Sequence, residues 1–437
     1  MKNTIKLLVN VLVLLLACSN LFSQESASGY LTKDGGWCWF SDPRAIYVDG
    51  NIITGWVKKN GTIEAASFSA AGKEIKTKEL FFRLEADDHD NPAFVETGDG
   101  RIVATYTRHS TKKEFYFNST TKGADISSFD DAKLFNPGDK EEIKKFPREH
   151  VTYANPCRLE AEDNRIYCFG RWTGYKPNMM WSDDNGLVWT KSKVFITNYP
   201  FDDSNRPYVK YYSDGKSKIH IVFTDGHPRN EPTNSVYYAC YEKGAFYRAD
   251  GSKITDMDGL PFEPKDASVI YRSNKKEGRA WIADIAQDKH GNPVVLYTKS
   301  PKETDHRYFY ARFAGSKWIS SEICKAGKWF PETPRRKKEP EPHYFGGMVL
   351  HPANANVVYL SREVKGTFEI ERRETNDGGK TWEIKAITKN SKLDNVRPYV
   401  PRGLKENEQE VVLWMENQKY IHYTDFDSAI KYSIWNN

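Results

Sequence analysis

The sequence contains seven copies of one short pattern: a strand, a polar turn, and a second strand rich in Val, Ile, Thr and Tyr. The pattern is clearest in NPAFVETGDGRIVATYTRH (Asn91–His109). The copies start at Pro43, Pro92, Pro156, Pro207, Ile282, Met348 and Pro398, with steps of 49, 64, 51, 75, 66 and 50 residues. Repeats at this spacing indicate stacked units, because one unit cannot bury its apolar face alone.

Each unit has room for about four strands and outer loops of variable length. Almost no segment shows the period of a long helix. We therefore predict an all-β protein, a seven-bladed β-propeller. Two Asp boxes, SDDNGLVW (Ser182–Trp189) and TNDGGKTW (Thr375–Trp382), support this fold, and we assign them a structural role in tight hairpins.

The first residues predict export. Lys2 and Lys6 accompany an apolar run over Ile5–Ala17 that is too short to span a membrane as a helix. We predict a signal peptide over residues 1–24 and one propeller domain over residues 25–437.

Two cleavage sites compete. LLAC (Leu15–Cys18) fits a bacterial lipoprotein box, which would leave Cys18 lipidated, whereas FSQ (Phe22–Gln24) offers an ordinary site. The expected location is the periplasm, the outer membrane as a lipoprotein, or the medium. Contact with a membrane is expected only through a lipid on Cys18.

Charge and cysteine content exclude several classes. Removal of residues 1–24 lowers the net charge from +5 to +3, which is too small and too evenly spread to indicate a nucleic-acid partner. The remaining cysteines are odd in number and contain no CxxC pair, so buried thiols are expected rather than a disulfide framework. They are Cys38, Cys157, Cys168, Cys240 and Cys324. A monomer is expected.

The repeat also predicts where functional residues meet. Because the two strands of each copy form an antiparallel hairpin, the residues before the first strand and after the second share one edge. His89 lies before one hairpin and His109 after it. In the next copy Tyr153 lies before and Arg171 after.

The third copy adds Arg206 and Tyr208 before its hairpin, and His227 and Arg229 after it. Taken singly, each has a structural interpretation: His89, for example, could be a buried imidazole held by neighbouring aspartates. Taken together, His, Arg and Tyr at one repeat position in three consecutive blades indicate a functional site on one face of the disc.

The sequence offers no HExxH, EF-hand loop, GxSxG elbow or phosphate-binding loop, so no cofactor is required and no metal ligands are assigned. A cation held by His89 and His109 with Asp88 is the weaker alternative. Glycoside hydrolysis usually needs two carboxyl groups. β-Elimination of a uronic acid needs a cation for the carboxylate, a base and an acid, and Arg, His and Tyr supply these groups.

Five stretches resemble the BNR-repeat propeller proteins of exported bacterial polysaccharide-degrading systems, which include ulvan lyases and rhamnose–glucuronate lyases. They are GGWCWFSDPRAIY (Gly35–Tyr47), DDHDNPA (Asp87–Ala93), FTDGHPR (Phe223–Arg229), DHRYFYARF (Asp305–Phe313) and NVRPYVPRG (Asn395–Gly403). The resemblance implies a seven-bladed lyase that acts on acidic polysaccharide. Some relatives bind a structural metal, calcium or zinc being the candidates here.

By position, the resemblance implies that His89 and His109 are catalytic-site histidines, Tyr153 the catalytic tyrosine and Arg171 the carboxylate-binding arginine. Further substrate contacts are expected from Arg206, Tyr208, His227 and Arg229. Some relatives use a lone His on the opposite face, just after PRAIY, where this chain has Val48.

The sequence therefore predicts a lyase for rhamnose–glucuronate linkages in ulvan or arabinogalactan side chains. Two alternatives stay open. One is a glycoside hydrolase, a rhamnosidase or a sialidase-like enzyme, whose carboxylate-binding arginines would come from Arg44, Arg171, Arg229 and Arg397. The other is a propeller that binds glycan without catalysis.

Overall fold

A computed structural model describes residues 27–69, 74–328, 330–332, 346–405 and 409–435. The predicted signal peptide and Cys18 lie outside these residues. The described part of the chain forms seven antiparallel sheets arranged as the blades of a propeller. The prediction of a seven-bladed β-propeller is confirmed.

Blades 1 to 3 have four strands each, numbered in chain order from the centre outwards. They are β2 (Ala45–Val48), β3 (Asn51–Val57), β4 (Ile63–Ser69) and β5 (Ile75–Phe81); β6 (Ala93–Glu96), β7 (Ile102–Thr107), β8 (Phe115–Ser119) and β9 (Lys133–Phe135); and β10 (Thr152–Leu159), β11 (Arg165–Arg171), β12 (Pro177–Ser182) and β13 (Lys193–Val194).

Blade 4 has six strands rather than the predicted four, because an extra hairpin and a returning strand extend its outer part. They are β14 (Val209–Ser213), β15 (Lys218–Thr224), β16 (Val236–Glu242), β17 (Ala245–Tyr247), β18 (Lys253–Asp256) and β19 (Ser268–Tyr271). This insertion accounts for the 75-residue step, the longest of the six.

Blades 5 to 7 complete the ring. Their strands are β20 (Arg279–Gln287), β21 (Pro293–Lys302), β22 (Asp305–Ala314) and β23 (Lys317–Gly327); β24 (Met348–His351), β25 (Asn354–Val364), β26 (Thr367–Glu374) and β27 (Glu383–Ala386); and β28 (Asp394–Tyr399), β29 (Glu410–His422) and β30 (Asp425–Trp435), with β1 (Ala27–Thr32) outermost in blade 7.

The ring closes at two places. Outside, β1 pairs with β30, joining Ala27 to Ile434 and Ser28 to Ser433. At the centre, the backbone N–H of Tyr47 in blade 1 donates to the carbonyl of Arg402, which follows β28, at 2.8 Å. Blade 7 is therefore built from both ends of the described chain.

The core lies between blades, where apolar side chains of facing sheets pack. Trp37, Trp56, Trp172 and Trp281 are all at most 2% exposed. Burying aromatic side chains of this size dominates the stability of such a core.

Outside the sheets, the described residues contain one short α-helix, α1 (Lys140–Lys145), and five 3-10 turns. None of these helices is long and apolar enough to cross a membrane. Four of the five described cysteines are buried, Cys324 is half-buried, and all five are free thiols.

The two Asp boxes form hairpins between the third and fourth strands of blades 3 and 6. In the first, Asp184 Oδ1 accepts the backbone N–H groups of Leu187 and Val188 at 3.1 and 2.9 Å, and Trp189 is buried below the turn. Asp377 accepts two backbone N–H groups in the same way in the second box. The structural role predicted for both boxes is confirmed.

Candidate functional site

The candidate site lies on the face of the disc where the innermost strands begin and the second strands end. Blade 2 contributes His89 before β6 and His109 after β7. Blade 3 contributes Tyr153 at the start of β10 and Arg171 at the end of β11. The structure therefore brings together the four residues that the hairpin argument placed on one edge.

A single carboxylate holds the two histidines. Their rings stack with centroids 3.9 Å apart and an interplanar angle of 16°. Nδ1 of His89 lies 2.7 Å from Oδ1 of Asp87, and Nδ1 of His109 lies 2.9 Å from Oδ2 of the same carboxylate. Because Nδ1 of each ring donates to Asp87, Nε2 is the nitrogen left for a substrate.

The backbone fixes this arrangement. Asp87 caps the 3-10 turn Asp88–Asp90, and its Oδ1 also accepts the backbone N–H of His89 at 3.0 Å. Glu85 accepts the backbone N–H of His109 at 2.8 Å. Two acids from one loop therefore position both imidazoles, which are 14% and 19% exposed at the side chain.

The two imidazoles differ in charge. Burial works to raise the pKa of Asp87, but attraction to His109 and His89 outweighs it and holds this pKa well below its ordinary value. Burial opposes the charge on His89 too, yet Cys38 and Asp87 raise its pKa well above 6.5. Burial and then the neighbouring charge of His89 lower the pKa of His109. These directions favour the charged form of His89 and the neutral form of His109 at neutral pH.

The other polar residues of Asp87–Asn91 connect the site to distant parts of the ring by hydrogen bonds and an ion pair. Asp88 accepts from Arg397 Nη1 at 2.6 Å and from the Tyr420 hydroxyl at 2.5 Å, both in blade 7. Asn91 accepts the backbone N–H of Cys38 at 3.0 Å. Burial, followed by repulsion from Asp87, raises the pKa of Asp90 well above its ordinary value. The stretch is therefore both a joint between blades and the support of the two histidines.

Tyr153 is placed by an irregularity in blade 3. The pairing of β10 with β11 shifts register between Thr152 and Asn155, and Tyr153 adopts a positive φ of 66°, which costs a non-glycine residue about 1–2 kcal/mol. Gly170 on β11 makes room for this bulge, since a Cβ there would collide with the carbonyl of Tyr153 and the ring of Trp172. Strain of this kind is typical of functional sites.

The phenol hydroxyl of Tyr153 has no hydrogen-bond partner among the described residues. The residue is nevertheless only 6% exposed. Burial, and then the neighbouring Tyr208, raise its pKa well above 10. Tyr153 is therefore protonated at neutral pH and can donate a proton. Its ring lies 5.9 Å from that of His89.

Arg171 is a buried cation without an acid. Its guanidinium lies 5.0 Å from the ring of Tyr153 and 5.2 Å from that of Tyr208. Nε and Nη1 have no hydrogen-bond partner in the described part of the chain, and the residue is 6% exposed. Burial opposes the charge, but Tyr208 and Tyr153 outweigh it and raise the pKa of Arg171. A buried guanidinium of this kind is a receptor for an anion.

Tyr208 and His227 continue the site towards blade 5. The Tyr208 ring lies 4.7 Å from Phe40 and 5.3 Å from His227, which in turn lies 4.7 Å from Trp281. The backbone N–H of Arg229 donates to Nδ1 of His227 at 3.0 Å. Burial, then repulsion from Arg229, lower the pKa of His227 well below 6.5. His227 is therefore neutral and carries its proton on Nε2.

The remaining two predicted contacts lie further out. Arg206 is half-buried and stacks 4.2 Å above the ring of Tyr175. Arg229 is exposed, and its Nε lies 3.4 Å from the side-chain oxygen of Asn230. Both are positioned to add positive charge at the rim rather than to reach the histidine pair.

Three aromatic residues of the site were not among the predicted ones. Phe40 and Trp281 form its aromatic floor, with centroids 5.5 Å apart. Tyr423, in the turn between β29 and β30, presents its ring edge to His89 at 4.9 Å and to His109 at 5.3 Å. Phe40 lies in the GGWCWF stretch that the resemblance singled out. No local pattern indicates Tyr423, which lies at the tip of the long β29–β30 hairpin of blade 7.

The four arginines considered for a sialidase-like site do not converge. Arg44 is buried and paired with Asp42 at 2.8 Å. Arg397 is buried and paired with Asp88 at 2.6 Å. Arg229 is exposed at the rim, and Arg171 is the buried member of this set that forms no ion pair in the described structure.

Two groups of side chains have the spacing to hold a metal ion, Cys38 with Asp88 and His89, and Asp87 with His89 and His109. In this structure donor atoms of both groups are already engaged, so they fit a metal ion poorly. Both oxygens of Asp87 accept from imidazole Nδ1, and Asp88 is paired with Arg397. A metal would have to replace these hydrogen bonds, and we assign no step of the chemistry to one.

The opposite face also contains a cavity, of about 180 Å³, where the innermost strands end. Val48, Glu96 and Arg402 are among its lining residues, and no histidine lines it in the described structure. The position at which some relatives use a lone histidine is thus apolar.

Fold and repeats together define a seven-bladed β-propeller of the BNR type. The model of the BNR repeat-containing family matches residues 52–326, more than half of the chain, and the protein belongs to this family. No curated protein sequence matches it.

Two solved structures of an ulvan lyase of polysaccharide lyase family PL25 are similar to this chain. The one bound to -[GlcA(1-4)Rha3S]- has a TM-score of 0.67 at 13% identity, over 92% of this chain and 94% of its own. The other has a TM-score of 0.66 at the same identity and coverage. The NanB sialidase of Streptococcus pneumoniae, at 9% identity and a TM-score of 0.44, covers 94% of each chain. At such identities the likeness concerns the fold.

Proposed function

We propose that the protein is a polysaccharide lyase that cleaves acidic polysaccharide by β-elimination next to a uronic acid. Rhamnose–glucuronate linkages, as in ulvan or arabinogalactan side chains, are the proposed substrate class. The observation that carries the proposal is Arg171, a buried guanidinium between two tyrosine rings with no acid to neutralise it in the described structure. A uronate carboxylate supplies the missing partner.

Each group then has one task. Arg171 binds the carboxylate and so makes the proton on the neighbouring carbon, C5, more acidic. Nε2 of neutral His109 removes that proton. The electron pair forms the C4–C5 double bond as the bond from C4 to the glycosidic oxygen breaks. Tyr153, whose raised pKa keeps it protonated, gives its proton to the leaving oxygen.

The surrounding residues support these three. Asp87 orients both rings and fixes the tautomer of neutral His109, so that Nε2 of His109 carries a lone pair. The imidazolium of His89 adds positive charge next to Arg171 and Tyr153. The ulvan lyase with bound -[GlcA(1-4)Rha3S]- shares the fold over most of both chains, which agrees with this substrate class.

The decisive experiment separates three activities. Purified protein is incubated with ulvan, arabinogalactan and glycosaminoglycans while the ultraviolet absorbance of unsaturated uronate and the number of new reducing ends are followed together. Elimination raises both. A hydrolase would raise only the reducing ends, and a binding propeller neither, so either outcome would overturn the proposal.

A further inference from the structure

We propose that a second glycan-binding site lies in a groove between blades 3 and 4 on the opposite face of the disc. The groove has a volume of about 420 Å³. Its walls include Trp181 and Lys193 of blade 3, and Tyr241, Lys243 and Met257 of blade 4. The ligand class is an anionic polysaccharide, so the inference rests in part on the proposed function.

The groove is distant from the candidate catalytic residues. Arg165, which lines it, is the first residue of β11, and Arg171 is the last. Six residue steps at roughly 3.3 Å each separate these ends by about 20 Å. A sugar in the groove therefore cannot touch Arg171, and the groove is a binding site rather than part of the reaction site.

Aromatic rings form one wall and the floor. Trp181 and Tyr167 are cross-strand partners in β12 and β11, with ring centroids 6.2 Å apart. Trp181 is half-buried, whereas Tyr167 is 1% exposed. The hydroxyls of Tyr167 and Tyr241 lie 2.5 Å apart and so join the two blades beneath the groove. A half-buried indole beside fixed tyrosines is a surface on which the apolar face of a sugar ring can stack.

The charge of the groove selects the kind of sugar. Two acids at the groove, Glu162 and Asp183, share one cation, Arg165. Glu162 accepts from the Tyr167 hydroxyl at 2.6 Å and has Arg165 Nη1 at 3.5 Å, and Asp183 accepts from Arg165 Nε at 2.6 Å. Arg165 offsets one of the two negative charges, and with Lys193 and Lys243 the five groups have a net charge of +1.

Lys193 and Lys243, by contrast, have no ion-pair or hydrogen-bond partner for their ammonium groups among residues that the structure describes. One belongs to each wall, so the groove presents two ammonium groups that contact no acid in the described structure, beside an aromatic ring. Carboxylate or sulfate groups on a polysaccharide match this arrangement. A polymer held here and at the catalytic face is retained by two contacts rather than one.

Affinity electrophoresis in gels containing ulvan tests the proposal without depending on turnover. We expect the double variant Lys193→Ala/Lys243→Ala to bind about fivefold more weakly than the wild type, since it loses two exposed ion pairs with the polymer. Trp181→Ala should weaken binding as well. Lys289→Ala/Lys317→Ala removes two exposed lysines from blade 5 and is the charge-matched control.

The same measurements in the Arg171→Lys background isolate the groove from the catalytic face. Gels with desulfated ulvan and with carboxyl-reduced ulvan identify which anion the lysines bind. If the groove variants migrate like the control pair in every gel, the second site does not exist. That result would refute the groove proposal without affecting the elimination assay. Conversely, if the wild type shows no elimination but the groove variants are retarded less than the wild type, the lyase proposal is refuted and the groove proposal stands.

Discussion

His89 and His109 stack face to face at 3.9 Å while their Nδ1 atoms bond to opposite oxygens of the Asp87 carboxylate. Two imidazolium ions at this distance would repel each other strongly, so the pair holds one positive charge at neutral pH. Cys38 and Asp87 raise the pKa of His89, whereas burial and then the charge of His89 lower the pKa of His109. The stack therefore favours one charged and one neutral imidazole side by side, as the proposed elimination requires.

Removal of each histidine should have a different effect. His109→Ala removes the base, and we expect elimination to fall by about 10²–10⁴ with little change in melting temperature. His89→Ala should also lower activity, and it should reduce stability by roughly 1–3 kcal/mol because buried aspartates lose a partner. His290→Ala, at an exposed position, is the control. An H89A protein with reduced stability but normal turnover per folded molecule would limit His89 to a structural role.

The acid limb of the pH–rate profile should report His109. This base acts only when neutral, so kcat/KM should fall as pH drops through its pKa, below the ordinary value of about 6.5. Because the charge of His89 lowers that pKa, His89→Gln should move the limb to higher pH. The measurement is kcat/KM between pH 4 and 9 for both proteins. A limb that stays in place would show that His89 carries no charge or that another group is the base.

Arg171→Lys keeps the charge but loses the planar fork that binds two carboxylate oxygens. We expect a loss of about 10²–10³ in kcat, with thermal stability changed far less. Arg307→Lys, which alters an arginine paired with Asp305 and Glu322 on the outer part of blade 5, is the control. Unimpaired turnover in R171K would rule Arg171 out as the group that neutralises the carboxylate.

Tyr153→Phe should separate proton donation from packing. The hydroxyl has no hydrogen-bond partner in the described structure, so stability should change by no more than about 0.5 kcal/mol. Elimination from a polymer should fall by about 10²–10⁴, since the leaving oxygen loses its acid. A substrate whose leaving group needs no proton should recover most of the rate. If both substrates are affected equally, Tyr153 only positions the sugar.

Gly170→Ala tests whether the bulge in β10 serves the site. The new methyl group would meet the Tyr153 carbonyl and the Trp172 ring, and overpacking of this kind costs about 1–3 kcal/mol. We expect a lower melting temperature and, in the folded fraction, a loss of activity like that of Tyr153→Phe. Normal activity in the folded fraction would mean that the irregular backbone does not set the position of Tyr153.

The sequence predicted the architecture because the constraint is local and repeated. Each copy places a turn between two strands, and the innermost strands fall where the repeat begins, as at Met348 for β24. It also placed His89, His109, Tyr153 and Arg171 on one face, since alternation along a hairpin determines which ends share an edge.

The repeat pattern could not predict contacts between segments that are distant in sequence. Nothing local indicates that Tyr423 reaches the histidines or that Asp88 pairs with Arg397, 309 residues away. Nor did the repeat reveal which arginine lacks an acid. That distinction depends on where Asp42 and Asp88 lie in three dimensions, and it separates Arg171 from Arg44 and Arg397.

The pairing of β1 with β30 has a consequence for how the molecule is made. These strands are separated by nearly the whole described chain, so the pairing has the longest sequence separation in the fold and cannot form until β30 has been synthesised. Until then, β1 lacks its partner strand and has an unpaired edge. Exposed strand edges are templates for aggregation, so the chain is most prone to aggregate before this pairing forms.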